Sequence, residues 1–153
     1  TIYYDKELSD FSVRFEYKVP PGGNNGLAIR YPGSGDTAYV GMCELQVLDD
    51  TAKKYAKLHP AQYHASAYGM VAAERGYQRP VGDWNFQQVT VVGSTITVEM
   101  NGTRILTADL ANVEKPMYDI NKFKGRLRKS GFFGFAGHGD AVSFRNVQIK
   151  SLK

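Results

Sequence analysis

Hydrophobic and polar residues alternate along most of this chain, with a period of two. Residues 11–19 (FSVRFEYKV) set Phe11, Val13, Phe15, Tyr17 and Val19 on one side and Ser12, Arg14, Glu16 and Lys18 on the other. Successive side chains of a strand point to opposite faces, so this is a strand with one buried side. Residues 20–26 (PPGGNNG) force a turn. Residues 27–31 read as a short strand, 32–36 as a loop and 38–48 as a further strand. Residues 87–92, 95–100 and 103–107 form a meander joined by Gly93-Ser94 and Asn101-Gly102. Asn-Gly is a strong hairpin signal, because both central residues take positive φ. Residues 131–136 and 142–152 complete the strands, separated by Gly137-His138-Gly139-Asp140. Only 50–58 (DTAKKYAKL) reads as a helix, with Asp50 or Thr51 as its cap and Pro60 ending it. Residues 59–83 are irregular, and loops of that length are often functional. Short strands, Gly/Pro turns and at most one short helix predict an all-β sandwich in a single domain over 1–153.

Within this pattern, residues 41–49 (GMCELQVLD) stand out. Cys43, Leu45 and Val47 form an apolar face, while Glu44 and Gln46 share the other, roughly 7 Å apart at about 3.3 Å per residue. Such a face either meets solvent or lines a cleft. A carboxylate beside an amide can hold a sugar hydroxyl or act as a general base. Asp49 points away from Glu44 in a regular strand, and a bulge would bring it round. Cys43 falls on the apolar face, with no His beside it in the sequence, so it does not read as a nucleophile.

Composition narrows the chemistry. Aromatic residues make up 12% of the 153, dominated by ten Tyr and eight Phe, which suits strands and also suits stacking on sugar rings. Trp84 and Tyr68 each read either as core packing or as a sugar platform. Arg30, just before a Pro-Gly loop, reads either as a ligand contact or as a structural ion pair. His138, between two glycines, is exposed to whatever occupies the adjacent surface. The net charge of +4 is dispersed and accompanies no nucleic-acid motif. One cysteine forbids an internal disulfide. No run approaches the roughly 20 apolar residues of a membrane helix. The three histidines lack helical metal spacing, so no cofactor is expected; calcium on loop carbonyls with Asp36, Asp49 or Asp140 would leave no readable motif.

Several segments recur in a recognisable order: Tyr3-Tyr4-Asp5-Lys6-Glu7 with Ser9-Asp10-Phe11; Gly22-Gly23-Asn24-Asn25-Gly26-Leu27 with Ala28-Ile29-Arg30; Glu44 through Asp49; Tyr68-Gly69; Gly82-Asp83-Trp84-Asn85; Asn101-Gly102; Gly137-His138-Gly139-Asp140; and Phe144-Arg145-Asn146-Val147 with Ile149-Lys150. In that order they resemble the 3-keto-disaccharide hydrolase domain family, over nearly the whole chain. The resemblance implies a concanavalin-like jelly roll of two antiparallel sheets, related in fold to laminarinases and legume lectins. It implies carbohydrate chemistry on a concave sheet. It also implies export, to the periplasm, cell surface or medium of a bacterium. Relatives carry an early strand ahead of the Tyr3–Glu7 equivalent, and this chain lacks it.

The family's chemistry has a physical logic. A ketone at C3 of a glycoside acidifies the C2 proton. A base removes it, the C1 substituent leaves, and water adds back. On the resemblance, Glu44 is the base. Gln46 and Arg30 orient sugar oxygens, with Tyr68, Trp84 and Asp49 as further contacts. His138 or Tyr68 assists the enolate or the leaving group. Two alternatives share the fold: a non-catalytic carbohydrate-binding module, and a laminarinase-type glycosidase, which Gln46 disfavours because that chemistry wants paired carboxylates. The expected partner is an oligosaccharide or small sugar; oligomeric state is open.

Overall fold

The computed structural model describes residues Thr1–Lys153. Nine strands and one helical turn follow in order: β1 (Ile2–Tyr3), β2 (Phe11–Lys18), β3 (Asn24–Tyr31), α1 (Thr37–Val40), β4 (Cys43–Leu48), β5 (Asn85–Val92), β6 (Thr95–Met100), β7 (Thr103–Asp109), β8 (Phe132–Phe135) and β9 (Ser143–Ser151). They form two antiparallel sheets, with orders β1-β8-β3-β4 and β7-β6-β5-β2-β9. The chain is therefore an all-β sandwich. The alternating faces meet between the sheets: Phe11, Val13, Phe15 and Tyr17 from β2 pack with Leu27 and Ile29 of β3, Leu45 and Val47 of β4, and Val89 and Val91 of β5. Burial of such side chains, at about 1.5–3 kcal/mol each, holds the sheets together. In the β6–β7 turn, Asn101 and Gly102 have φ of 49° and 90°, as an Asn-Gly hairpin requires. No helix is long and apolar enough to cross a membrane.

Two expectations about local structure need correction. Residues 50–58 do not form an α-helix; only a single 3₁₀ turn forms, at Lys53–Tyr55. The residues that would cap a helix are engaged otherwise. Thr51 Oγ1 donates to Asp49 Oδ1 at 2.6 Å, and Asp50 Oδ1 accepts from the His64 amide at 2.8 Å. Conversely, the start of the expected 38–48 strand coils into α1, capped by Asp36, whose Oδ1 accepts from the Ala38 amide at 3.0 Å.

Of the two readings open for Arg30, the structural ion pair holds and the sugar contact implied by the resemblance does not: the residue is a clamp between the sheets and does not reach the cavity described below. Strict alternation from Gly26 and Ala28 would put Arg30 on the outer face of β3. The β3–β8 register shifts between Ala28 and Tyr31, and Arg30 takes φ of 48°. This bulge redirects the side chain, which is only 2% exposed. Its guanidinium donates to Ser9 O at 2.6 and 2.8 Å, Gly93 O at 2.7 Å, Arg128 O at 2.8 Å and Asp10 Oδ1 at 3.1 Å. Ser9, Asp10 and Gly93 belong to the ends of the five-stranded sheet, so one side chain on the four-stranded sheet anchors the other. Arg30→Ala leaves those carbonyls without their donor and takes from Asp10 its buried cation, leaving it Gly93 N and Lys153. Urea unfolding of that variant is expected to show a loss of roughly 3–5 kcal/mol.

Candidate functional site

The outer face of the four-stranded sheet is not open to water. All six residues of β4 are buried, on both faces. Glu44 stands opposite Ala28, and Gln46 opposite Gly26. Small residues on β3 are what leave room beside the acid: a Cβ on Gly26 would come within 2.5 Å of Glu44 Cδ. The free edge of β4 is closed by 65–68, which has no regular strand of its own. Ala65 N donates to Gln46 O at 2.7 Å, Gln46 N to Ser66 O at 3.1 Å, and Tyr68 N to Glu44 O at 2.9 Å. Ala67 pairs with Leu45 and is fully buried, so its neighbour Tyr68 falls on the Glu44 side.

The result is a cavity of about 240 Å³ lined by Asn24, Asp36, Ala38, Tyr39, Glu44, Gln46, Leu48, Tyr55, Leu58, Gln62, Tyr68 and His138. Polar groups and aromatic rings share the wall, which suits a sugar ring with its hydroxyl edge and apolar faces.

Glu44 is held from two sides. Thr37 Oγ1 donates to its Oε2, and His138 Nε2 lies 3.5 Å from its Oε1. The carboxylate raises the His138 pKa, first through this hydrogen bond; burial opposes the rise, and the charges of Glu44, Asp140 and Asp36 add to it. The loop carrying His138 is tied to the sheet where Asn24 N donates to Asp140 Oδ2 at 3.0 Å. Gln46 Nε2 donates to Gln62 O at 3.0 Å, which fixes the amide in the wall. Tyr68 Oη accepts from Gln62 Nε2 at 3.2 Å.

Four of the residues expected at a sugar site, Glu44, Gln46, Tyr68 and His138, therefore share one cavity. Three do not. Arg30 is the clamp already described. Asp49 closes a turn: its Oδ2 accepts from Gly22 N at 2.8 Å and its Oδ1 from Thr51 Oγ1 at 2.6 Å. No bulge in β4 turns it toward Glu44. Trp84 lies against the outer face of the opposite sheet, with Arg145 Cζ 3.8 Å and Lys18 Nζ 4.8 Å from its ring centre. The other histidines are structural. His64 Nδ1 accepts from Leu48 N at 3.2 Å, which leaves Nε2–H to donate to Gln87 Oε1 at 2.8 Å. Burial pushes its pKa down to about 4. His59 accepts from Ala61 N and caps a 3₁₀ turn.

Sequence reasoning missed Tyr39, Tyr55 and Asn24 on the lining, and Thr37 behind Glu44. Thr37 and Tyr39 were hidden because a four-residue helix has no periodicity to read. Only the Asp36 cap one residue ahead of Thr37 signals it.

Comparison with known proteins agrees with the fold. The model of the 3-keto-alpha-glucoside-1,2-lyase-like domain matches residues 1–150, and the chain belongs to that family. A 3-keto-disaccharide hydrolase of Bacteroides thetaiotaomicron is 27% identical over 178 aligned positions, covering 99% of this chain and 61% of that protein. The chain thus spans about three-fifths of its curated relative. Two crystal structures from Parabacteroides distasonis, named as candidate glycosyl hydrolases, match with TM-scores of 0.85 and 0.79 at 23% and 21% identity. The matches cover 98% and 99% of this chain, and 82% and 76% of theirs. The carbohydrate-binding module CBM66 of Bacillus subtilis matches with a TM-score of 0.58 at 15% identity, over 96% of this chain and 78% of the module. These structural likenesses establish a shared sandwich.

The Glu44–His138 contact makes a sign-definite prediction. A histidine with a raised folded pKa adds stability below its unfolded value, near 6.5, and that contribution is lost as pH rises through the folded value. Glu44→Gln removes the cause of the rise and leaves the burial that opposes it. The His138 imidazole, followed by NMR, is therefore expected to titrate at lower pH in Glu44→Gln than in the parent protein.

Proposed function

We propose that this domain cleaves 3-keto-glycosides, with Glu44 removing the C2 proton. The observation that carries the reading is a buried carboxylate facing a sugar-sized cavity with a histidine 3.5 Å from one of its oxygens. Family membership and the Bacteroides relative support a 3-keto sugar as the substrate class.

The chemistry follows from the substrate. C2 lies between the ketone at C3 and the acetal at C1. Loss of the C2 proton to Glu44 places an electron pair on the C3 oxygen as an enolate. O3 and the C2 hydrogen are neighbours, so the base and the enolate's donor must be neighbours too. Glu44 and His138 meet that condition. His138, its pKa raised by Glu44, donates to the developing oxyanion, and a positioned donor there is a large contribution in reactions of this kind. Collapse of the enolate forms the C1=C2 bond and expels the C1 substituent. Addition of water at C1 and return of a proton to C2 complete a net hydrolysis. Gln46 orients a sugar oxygen through the face of its amide that Gln62 leaves free.

A two-carboxylate glycosidase is less well supported. Asp36 is the other carboxylate on the wall, and one of its oxygens is committed to capping α1. A binding module is the remaining reading. It predicts retention of unoxidised oligosaccharide with no turnover of any keto-sugar.

The test is an assay on a 3-keto-disaccharide beside its unoxidised parent. Turnover is expected only for the keto form. Glu44→Gln is expected to lower kcat about 10²- to 10⁴-fold, the usual reach of a positioned base, with the thermal melt of a folded protein retained. Undiminished turnover in that variant removes Glu44 from the role.

A further inference from the structure

The geometry points to Tyr39 as the proton donor to the leaving-group oxygen, an inference that rests on Glu44 as the base at C2. C1 and C3 are both bonded to C2, so O1 and O3 flank the hydrogen that Glu44 removes. The two donors the reaction needs must flank the base in the same way. Glu44 is held with Oε1 toward His138 and Oε2 toward Thr37. His138 serves the O3 side. The opposite side is α1, and the polar side chain that α1 itself gives to the cavity wall is Tyr39.

Three tyrosines line the cavity, and they differ in what their hydroxyls already do. Tyr55 donates to Gly22 O at 3.0 Å, which uses its proton. Tyr68 accepts from Gln62 Nε2 at 3.2 Å, which leaves its proton but ties its hydroxyl to the 59–68 segment rather than to α1. The Tyr39 hydroxyl makes no hydrogen bond within the protein, so both its proton and its lone pairs are free for a ligand. Its ring is nonetheless fixed, packed 5.4 Å from Phe123 with Lys122 Nζ 4.9 Å from its centre. Burial raises its pKa, helped by Tyr68, Tyr118, Asp36 and Glu44, so it carries its proton at neutral pH.

The atoms balance without an external reagent. Glu44 takes the C2 proton, the C2–H electron pair becomes the C1=C2 bond, and the C1–O1 pair departs with O1. O1 takes the Tyr39 proton, and the alcohol leaves. Water adds its oxygen to C1 and returns a proton to the tyrosinate. Glu44 returns its proton to C2. One water is consumed, and both side chains are restored.

The experiment compares two substrates in wild type and Tyr39→Phe, which keeps the ring that packs on Phe123. One is a 3-keto-disaccharide, whose leaving alkoxide needs a proton. The other is a 4-nitrophenyl 3-keto-glucoside, whose phenoxide leaves without one. Tyr39→Phe is expected to lower kcat on the disaccharide about 10²-fold or more and to leave the nitrophenyl substrate within a few-fold of wild type. Equal losses on both substrates, the signature of a damaged site, overturn the assignment, and so does no loss on either. If wild-type protein turns over neither substrate, the Glu44 reading falls and this inference falls with it.

Discussion

Everything distinctive about this sandwich depends on the closure of one strand edge. β4 ends its sheet, and an edge strand with an acid and an amide on its outer face would ordinarily be solvated. Here 65–68 bonds along that edge, through Gln46 O, Gln46 N and Glu44 O. Those bonds carry the chain back across the outer face, so that Gln62, Leu58 and Tyr55 wall it in. The polar face of β4 thereby becomes the interior of a cavity. Tyr63 reinforces the arrangement, donating to Tyr55 O at 2.6 Å.

Closure turns an ordinary glutamate into a supported one. A carboxylate taken out of water must recover the hydrogen bonds it loses. Thr37 and His138 supply them from opposite sides. Gly26 and Ala28 matter equally, since the carboxylate occupies space that a side chain on Gly26 would fill. Charge, volume and backbone are thus matched around one residue, and the matching spans α1, β3, β4 and the loop after β8. The clamp at Arg30 sets the other end of the same sheet. By gripping Ser9, Asp10 and Gly93, it orients β3 relative to the five-stranded sheet, and β3 in turn carries Gly26.

Most of the fold was legible from alternation, because a strand with one buried face writes its period directly into the chain. β2 and the β5–β7 meander were found within a few residues for that reason. The candidate site was legible only in part. Glu44 and Gln46 announced themselves as polar residues opposite an apolar face, and His138 as a histidine in a glycine turn. Arg30 stayed open between a ligand contact and an ion pair, because the bulge that redirects its side chain leaves no mark in the pattern of the chain. Asp50 misled because an acid ahead of a charged run reads as a cap, whereas its oxygen is taken by an amide 14 residues on. Trp84 is on the far sheet, and nothing local distinguishes the two sheets.

The amino-acid sequence by itself determined the class of fold, the apolar face of each main strand and the family to which the chain is kin. These follow from local periodicity and from ordered short motifs, which need no knowledge of distant contacts. Only the tertiary structure decided that the outer face of β4 is a cavity wall, that Thr37 bonds Glu44 while Tyr39 lines the same cavity, and that Arg30 and Asp49 serve the scaffold. Each of these is a contact between segments far apart in the chain or a reversal at a single backbone angle. Neither leaves a periodic trace, since both arise only when the loops pack across the sheet.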